Sequence, residues 1–359
     1  MNVAFYVDGG PEMGMGHIVR CLSLASVWEK KGHSVFFISR VSEGRRLISS
    51  RGFEMTSYYM HKRSMEYKNL IKNCQEDIAS IISVVKQYKI DVFIVDHYNV
   101  TSEFFLTLKP YVKVLCYIDD LSAFSYPVDV VVNGNITGQY MYYKKYYKKQ
   151  VFLLGPRYNL IRDEFCRIPK RPISKEVHKV MITTGASDNF RITEKIINII
   201  RNEMTLNNIE LHVIIGNSFV DRNKLKEVID CYDNIVYYEN IKEISSVMLE
   251  CDLAISSSGS TLYELCACGL PTLGFILADN QKFIAETMNN LGYIKNLGWY
   301  HQLNKESMIK EIQHLINDYS LRAGMVLKQQ ILVDGRGSQR VVHAIEKMVR
   351  EKGNELYEC

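Results

Sequence analysis

The stretch Val3-Ala-Phe-Tyr-Val-Asp-Gly-Gly-Pro-Glu-Met-Gly-Met-Gly-His17 decides the fold. Its first five residues are an apolar run typical of a buried strand, and after His17 apolar residues recur at helical spacing. Between them lies a glycine-rich strand-to-helix turn, in which glycines allow positive φ and close approach of a ligand to the backbone. The spacing differs from GxGxxG, so the turn does not predict a dinucleotide site.

Similar apolar runs alternate with helical patterns along the rest of the chain. In the first half they lie at 3–7, 34–38, 92–95, 112–118, 128–132 and 151–154, and in the second half at 180–183, 211–215, 235–238, 253–256 and 272–276. Short apolar runs joined by helices are typical of buried parallel strands with crossover connections. The fold class is therefore α/β, with two sets of five or six strands forming two sheets.

The length of 359 residues also favours two domains, at roughly 100 to 200 residues each. The proline-containing, charged stretch around Pro169 and Pro172 is typical of a connector. We expect an N-terminal Rossmann-like domain at 1–166, a linker at 167–178 and a C-terminal domain at 179–336. The helix expected at 337–359 would then pack back on the N-terminal domain.

Composition limits the class of function. Hydrophobic residues make up 47% and charged residues 23%, which excludes long disorder, and a net charge of +4 is too small to indicate a nucleic-acid binder. Nine cysteines without a CxxC pair indicate core thiols in a reducing compartment. With no signal-like segment and no apolar run long enough to span a bilayer, we expect a cytoplasmic protein without stable membrane association.

His17 is the first candidate for chemistry. It lies at the N-terminus of the helix that follows the first strand, where the positive end of the helix dipole disfavours the imidazolium form. A neutral histidine is a usable base, and open α/β sheets bind ligands at the carboxyl ends of their strands. The alternative is a histidine that only caps or packs at the turn.

Polar residues follow other strands of the first half. Asp96-His97-Tyr98 ends one predicted strand and Asp119-Asp120 ends the next. In a parallel sheet these residues share an edge with His17 and are candidate walls of a site. Asp96 could equally cap the following helix, so Asp96 and His97 fit a site or a scaffold role about equally well.

Two turns of the second half predict a phosphate site. Thr183 to Asp188 and Ser256 to Thr261 each join a strand to a helix through small or hydroxyl residues. Such turns present backbone N–H groups at a helix N-terminus, and two of them suggest a diphosphate. Glu264 lies one turn into the second helix, near enough for a ribose diol, and Asp279-Asn280-Gln281 could face a sugar.

Several motifs in order along the chain carry a resemblance to a known family. They are the segments 14–25, 95–98, 155–165, 184–188 and 334–337. Through them the chain resembles the nucleotide-sugar hydrolases of pseudaminic acid biosynthesis, which cleave UDP-2,4-diacetamido-2,4,6-trideoxy-β-L-altropyranose, and the related spore-coat polysaccharide biosynthesis proteins. It departs from the common pattern at Tyr6, where members often have Arg, and at Gly9 to Glu12.

That family is similar in fold to the metal-independent GT-B glycosyltransferases, especially the lipid II-forming N-acetylglucosaminyltransferase. The resemblance implies two Rossmann-like domains whose sheets face each other across a cleft, with His17 activating water and the C-terminal domain binding UDP. Ile241 matches the position whose backbone reads the uracil edge. The expected substrate-binding residues are Asp8, Gly14, Gly16, Arg20, Asp96, His97, Tyr98, Tyr158, Arg162, Gly185, Asp188, Ile241, Ser257, Ser258, Gly259, Ser260, Thr261, Glu264, Asp279, Asn280 and Gln281.

The expected reaction is hydrolysis of a UDP-linked 6-deoxy-diacetamido hexose with inversion at the anomeric carbon. The small-molecule UDP-sugar is the expected partner, and no metal, cofactor or nucleic acid is expected. A glycosyltransferase using the same donor, and a non-catalytic nucleotide-sugar sensor, remain as alternatives. The Tyr/Lys segment at 140–149 predicts a solvated face, or otherwise a membrane-surface or glycan contact. The sequence does not predict the oligomeric state.

Overall fold

The chain forms two compact units. The computed structural model describes residues 1–10, 14–56, 74, 77–216 and 218–355, so Pro11 to Met13 of the glycine-rich turn and residues 356–359 of the expected last helix lie outside the described residues. Unit 1 comprises Met1–Asp163 together with the residues from Arg336 onward, and unit 2 comprises Glu164–Gly335. In the described part, no helix is both long and apolar enough to cross a bilayer.

Unit 1 is built on a parallel sheet of seven described strands. They are β1 (Asn2–Val7), β2 (Ser34–Ile38), β3 (Glu54–Met55), β4 (Val92–Asp96), β5 (Val114–Ile118), β6 (Val130–Asn133) and β7 (Val151–Leu154), in the order β3-β2-β1-β4-β5-β6-β7. The described α-helices of unit 1 are α1 (Gly16–Lys30), α2 (Ser42–Ser50), α3 (Ile78–Gln87), α4 (Ser102–Leu108) and, after unit 2 in the chain, α12 (Gly337–Glu355). The six predicted strands are confirmed.

The central strands of unit 1 are buried on both faces, which explains their continuous apolar sequences. On one face Val3 and Phe5 pack with Trp28 of α1 and Ile345 of α12. On the other face Ala4 and Tyr6 pack with residues of α3 and α4. Helix α12 is thus part of the core of unit 1 and lies against α1.

Unit 2 contains a second parallel sheet. Its strands are β8 (Lys179–Thr183), β9 (Glu210–Ile215), β10 (Ile235–Glu239), β11 (Leu253–Ser257), β12 (Thr272–Ile276) and β13 (Lys295–Trp299), in the order β10-β9-β8-β11-β12-β13. The helices are α5 (Ile192–Arg201), α6 (Arg222–Ile229), α7 (Ile244–Glu250), α8 (Thr261–Cys268), α9 (Asp279–Asn290), α10 (Lys305–Asn317) and α11 (Tyr319–Leu332). In both sheets the strand order reverses beside the first strand, as in doubly wound folds.

The segment predicted as a linker packs on unit 2. Arg171 donates to the carbonyl oxygens of Met248 and Cys251. The side chain of Arg322 is buried and donates to the carbonyls of Ser174 and Lys175 at 3.0 and 2.8 Å. These bonds satisfy backbone groups of a segment without helix or strand, so the contacts place residues 164–178 in unit 2 rather than between domains.

The Tyr/Lys segment forms neither a helix nor a strand. Tyr140, Tyr142 and Tyr146 are exposed, in agreement with a solvated face. Tyr143 differs, because its hydroxyl donates to the buried carboxylate of Asp119 at 2.5 Å. Part of the segment therefore anchors the loops after β5 and β6.

Six of the eight described cysteines are core residues, whereas Cys166 is half-buried and Cys231 is exposed. Cys21, Cys74, Cys116, Cys251, Cys266 and Cys268 are buried, and no disulfide joins any of the eight cysteines in the described ranges. This agrees with the thiol usage expected from the sequence.

Candidate functional site at the strand ends of the two units

A histidine–carboxylate pair lies at the carboxyl end of the first sheet. β1 and β4 are neighbours in register, with Val7 paired to Asp96, so the turn leading into α1 brings His17 beside the end of β4. Nδ1 of His17 lies 2.7 Å from Oδ1 of Asp96, and the side chains are only 10% and 1% exposed. The parallel topology thus joins two residues 79 positions apart.

Asp96 is ionised in this setting. Burial by itself raises the pKa of the Asp96 carboxyl, but the Arg20 guanidinium and the His17 ring outweigh it, and the pKa stays well below its usual range. A carboxylate can only accept, so Nδ1 of His17 must carry the hydrogen that joins the pair. In the neutral ring this leaves the lone pair on Nε2, which takes no hydrogen bond from any described residue. In that form Nε2 of His17 is left with a lone pair that can accept a hydrogen bond.

Arg20 extends the pair into a network. Its Nε and Nη2 donate to the two oxygens of Asp96, both at 2.6 Å, and its Nη1 donates to both oxygens of Asp120 at 2.9 and 2.8 Å. Tyr98 donates its hydroxyl to Asp120 at 2.9 Å and sets its ring edge-on to the His17 ring, with centroids 4.7 Å apart. His17, Arg20, Asp96 and Tyr98, all predicted site residues, thus belong to one network.

Asp8 and His97 lie in a separate buried cluster. Both oxygens of Asp8 accept from Arg40, at 2.6 Å from the backbone and 2.7 Å from Nε, and His97 Nε2 lies 3.2 Å from Asp8. Burial raises the pKa of Asp8, but His97 and Arg40 outweigh it and hold the pKa well below its usual range. Arg40 also reaches Asp77 at 3.1 Å. This cluster joins the ends of β1, β2 and β4. For His97 it fits the scaffold role that the sequence left open beside a role in the site.

The remaining predicted residues of unit 1 have other places. Gly14 has φ +78° and shares a bridge with Gly10, and Gly16 opens α1. Tyr158 packs on the hydrophobic core that contains α12, and Arg162 is half-buried a few residues further on. The sequence indicated Asp120 only as a candidate wall of the site and not as a substrate-binding residue, and Arg40 and Asn135 were not predicted. Asp120 and Asn135 follow buried strands, so their positions after β5 and β6 were the available signal.

In unit 2 the turn from Thr183 to Asp188 leads into a helix, α5, whose N-terminus is capped by a side chain. The two oxygens of Asp188 accept from the backbone N–H groups of Ile192 and Thr193, each at 2.8 Å. The carboxylate therefore occupies the N-terminus of α5. This corrects the prediction of two open phosphate turns, because a phosphate would meet a carboxylate at those amides.

The second turn predicted to bind phosphate, from Ser256 to Thr261, is open, because no side chain caps the helix that follows it. β11 ends at Ser257, α8 begins at Thr261, and no side chain caps the helix at Ser260. Ser257 Oγ donates to the carbonyl of Thr184 at 3.0 Å, and Gly185 has φ +90°, so the loops after β8 and β11 adjoin. The backbone N–H groups at 259–261 remain for an anion.

Other predicted residues surround this turn. Gln281 Nε2 lies near Gly259, 3.6 Å from the position that a Cβ would take there. Gln281 accepts from the Leu277 N–H, whereas Asp279 and Asn280 are exposed. Glu264 is buried one turn into α8, and Ile241 is half-buried after β10. The Oγ atoms of Ser258 and Thr184 are buried without a partner among the described residues.

No group of three or more His, Cys, Asp or Glu side chains in the described ranges is arranged to hold a metal ion.

Comparison with solved structures identifies the fold. The crystal structure of Acinetobacter baumannii MurG matches 97% of this chain and 100% of its own, with a TM-score of 0.68 at 14% identity. The fold is GT-B. A calicheamicin glycosyltransferase, CalG4, is also similar, with a TM-score of 0.65 over 97% of this chain and 98% of its own, at 12% identity. At these identities the likeness concerns the GT-B fold alone.

Sequence comparisons find a matching domain family and several similar proteins. Residues 179–334 match the model of the glycosyltransferase family 28 C-terminal domain. The spore coat polysaccharide biosynthesis protein SpsG of Bacillus subtilis is 21% identical over 98% of this chain and 100% of its own. A Helicobacter pylori protein named as pseudaminic acid cytidylyltransferase and UDP-2,4-diacetamido-2,4,6-trideoxy-beta-L-altropyranose hydrolase is 28% identical over 88% of this chain. The chain spans about half of that protein and of an uncharacterised Methanocaldococcus jannaschii relative, 51% and 55%.

Proposed function

We propose that the protein hydrolyses a UDP-linked 6-deoxy-diacetamido hexose and releases UDP and the free sugar, as a step of pseudaminic acid or related polysaccharide biosynthesis. The observation that carries the proposal is the hydrogen bond from Nδ1 of His17 to Asp96, which leaves Nε2 as an acceptor at the ligand-binding edge of the sheet. The named activity of the Helicobacter pylori relative supports this substrate class.

His17 acts as a general base in the proposed reaction. Nε2 takes a proton from water as the water oxygen bonds to the anomeric carbon. The bond from that carbon to the diphosphate oxygen breaks, and its electron pair leaves with UDP. Attack opposite the leaving group inverts the anomeric centre. General-base assistance of this kind contributes roughly 10² to 10⁴ in rate.

The turn at 257–261 would hold the leaving group. Backbone N–H groups at the N-terminus of α8 favour negative charge, and charge grows on the diphosphate as the bond breaks. A nucleoside diphosphate stabilised in this way departs without a general acid. We assign the ribose to Glu264, the uracil edge to Ile241 and the sugar to Asp279, Asn280 and Gln281, and we expect the reaction to need no metal ion.

A glycosyltransferase is the second candidate, because residues 179–334 match a domain family named for glycosyltransferases. In that reaction an acceptor hydroxyl replaces water at the same base. The donor half of the site would be the same in both.

Incubation of the protein with the UDP-sugar in ¹⁸O-labelled water, without acceptor, tests the proposal. We expect complete UDP release, ¹⁸O in the sugar and not in UDP, the inverted anomer by early NMR spectra, and no effect of EDTA. UDP release only after an acceptor is added would establish a transferase. Binding without turnover of any nucleotide sugar would establish a sensor and overturn the proposal.

A further inference from the structure

Asp120 connects two of the side chains that touch the ring of His17, Arg20 and Tyr98. It follows β5 and accepts four hydrogen bonds, two from Arg20, one from the Tyr98 hydroxyl and one from Asn135 Nδ2 at 2.8 Å. Burial and then the charge of Asp120 raise the pKa of Tyr98, so its hydroxyl stays protonated and donates. Asp120 therefore fixes groups on both sides of the imidazole.

Arg20 lies three residues after His17 on α1, so both side chains project from one face of the helix. Its Nη2 lies 3.0 Å from Nδ1 of His17. Nδ1 donates to Asp96, so this contact joins two donors and places a positive charge against the ring. The guanidinium also lies between the carboxylates of Asp96 and Asp120.

Two residues outside the His17–Asp96 pair, Arg20 and Asp120, therefore place opposite charges near the His17 ring. Among the described residues, the titratable and charged groups that face this network are Arg20 and Cys21 from α1, Asp96 and Tyr98 from the end of β4, and Asp120 from the end of β5. Cys116 and Tyr117 of β5 also interact electrostatically with Asp96, and burial raises the pKa of both, so they stay neutral. The Cys21 thiol lies 3.5 Å from Asp96, and burial raises its pKa, so it stays neutral. Removing Arg20 would leave two carboxylates near the ring without a cation, whereas removing the charge of Asp120 would leave the Arg20 guanidinium opposed by the carboxylate of Asp96 alone.

We propose that Asp120 and Arg20 are positioning residues, which together fix the orientation of the His17 ring and set the pH range in which it is neutral. This proposal rests on the proposed role of His17 as the base. Neither residue needs to touch the substrate, because both act through the ring: Arg20 directly and through Asp96, and Asp120 through Arg20 and Tyr98.

The test is an NMR titration of the His17 ring in Arg20→Gln and Asp120→Asn, with His17→Ala used to assign its signal. We expect the midpoint to move to higher pH in Arg20→Gln and to lower pH in Asp120→Asn, each by at least about half a pH unit. The double variant should return toward the wild-type midpoint. Arg46→Gln and Asp221→Asn, which remove the same charges at exposed positions, should leave it unchanged.

Kinetics supply the second readout. The acid limb of the pH–rate profile should move in the same direction as the NMR midpoint in each variant. Arg20→Lys keeps the charge without the forked geometry, so it should lower kcat and leave the limb near its wild-type position. Midpoints that do not move, or that move in the same direction in both variants, would overturn the proposal. Midpoints that move as expected in a protein that hydrolyses nothing would instead refute the proposed function.

Discussion

Oδ1 of Asp96 accepts a hydrogen bond from Nδ1 of His17 at 2.7 Å, at the edge where two neighbouring strands of the first sheet end. Asp96→Asn should therefore lower kcat by about 10² to 10⁴, because the neutral amide no longer fixes the Nδ1–H form of the ring. UDP affinity, measured by calorimetry, should stay within a few-fold, because the turn proposed to hold the diphosphate belongs to unit 2.

His17→Ala is the companion variant and should lose activity to a similar extent with the same retention of UDP binding. If Asp96→Asn keeps its kcat, the pair has no part in turnover. If UDP binding is lost together with activity, the role of Asp96 is structural.

The two buried carboxylates make stability depend on pH. Burial raises the pKa of Asp8 and of Asp96, but their cationic partners outweigh it, and both pKa values lie well below the usual range. Below about pH 4 the unfolded chain binds protons that the folded chain does not, so the free energy of unfolding falls as the pH drops. The contribution of these groups is fully present above that pH.

Urea unfolding between pH 3 and pH 7 measures this dependence. Asp8→Asn should be less stable at pH 7 and should show a shallower decline at acid pH, whereas Glu351→Gln, at an exposed helix position, should follow the wild type. Equal slopes in Asp8→Asn and the wild type would mean that the Arg40–Asp8 contact contributes no pH dependence.

Gly337 should tolerate no side chain. A Cβ there would lie 2.0 Å from the carbonyl oxygen of Asn159, so backbone must move to accept it. We expect Gly337→Ala to lower the free energy of unfolding by about 2 kcal/mol or more. Gly324→Ala, within α11 and with open space around the position, should instead raise it by about 0.5–1 kcal/mol. Chemical denaturation of both variants decides the matter, and equal effects would contradict the close packing at Gly337.

Two neighbouring serines at the open turn should respond differently to replacement by alanine. Ser257 Oγ donates to Thr184, whereas Ser258 Oγ is buried without a partner among the described residues. Without ligand, Ser257→Ala should lower the free energy of unfolding by about 1 kcal/mol and Ser258→Ala should leave it unchanged or raise it. Thermal unfolding tests this. A loss in Ser258→Ala comparable to that in Ser257→Ala would show that its hydroxyl is satisfied in the folded protein.

The fold could be predicted because most strands are buried on both faces and appear as continuous apolar runs. β3 and β13 were missed for a physical reason. β3 has two residues, and β13 is half-buried with a polar Lys-Asn start, so neither presents an apolar run. The linker prediction differed because prolines and charges indicate irregular backbone but not where it packs. The bonds that attach the segment to unit 2 join it to distant residues: its own Arg171 donates to Met248, and Arg322 donates to Ser174.

The candidate site was predictable in part. Parallel topology alone implies that His17 and Asp96 share an edge. It does not imply which carboxylate a long arginine side chain reaches. The pairing of Arg20 with Asp120 and of Arg40 with Asp8 is therefore visible only in the structure. The cap formed by Asp188 was also hidden, because a carboxylate before a helix fits both a ligand site and a cap.

The place of α12 in the core of unit 1 also bears on how the protein is made. Unit 2 is one continuous stretch of chain, whereas unit 1 needs residues from both sides of it. During translation Val341, Val342 and Ile345 are synthesised after the whole of unit 2. Trp28 and its neighbours can pack with these three residues only from that point on. Unit 1 therefore gains this part of its core only after unit 2 has been made, and until then the apolar side chains that α12 covers lack their partners from that helix.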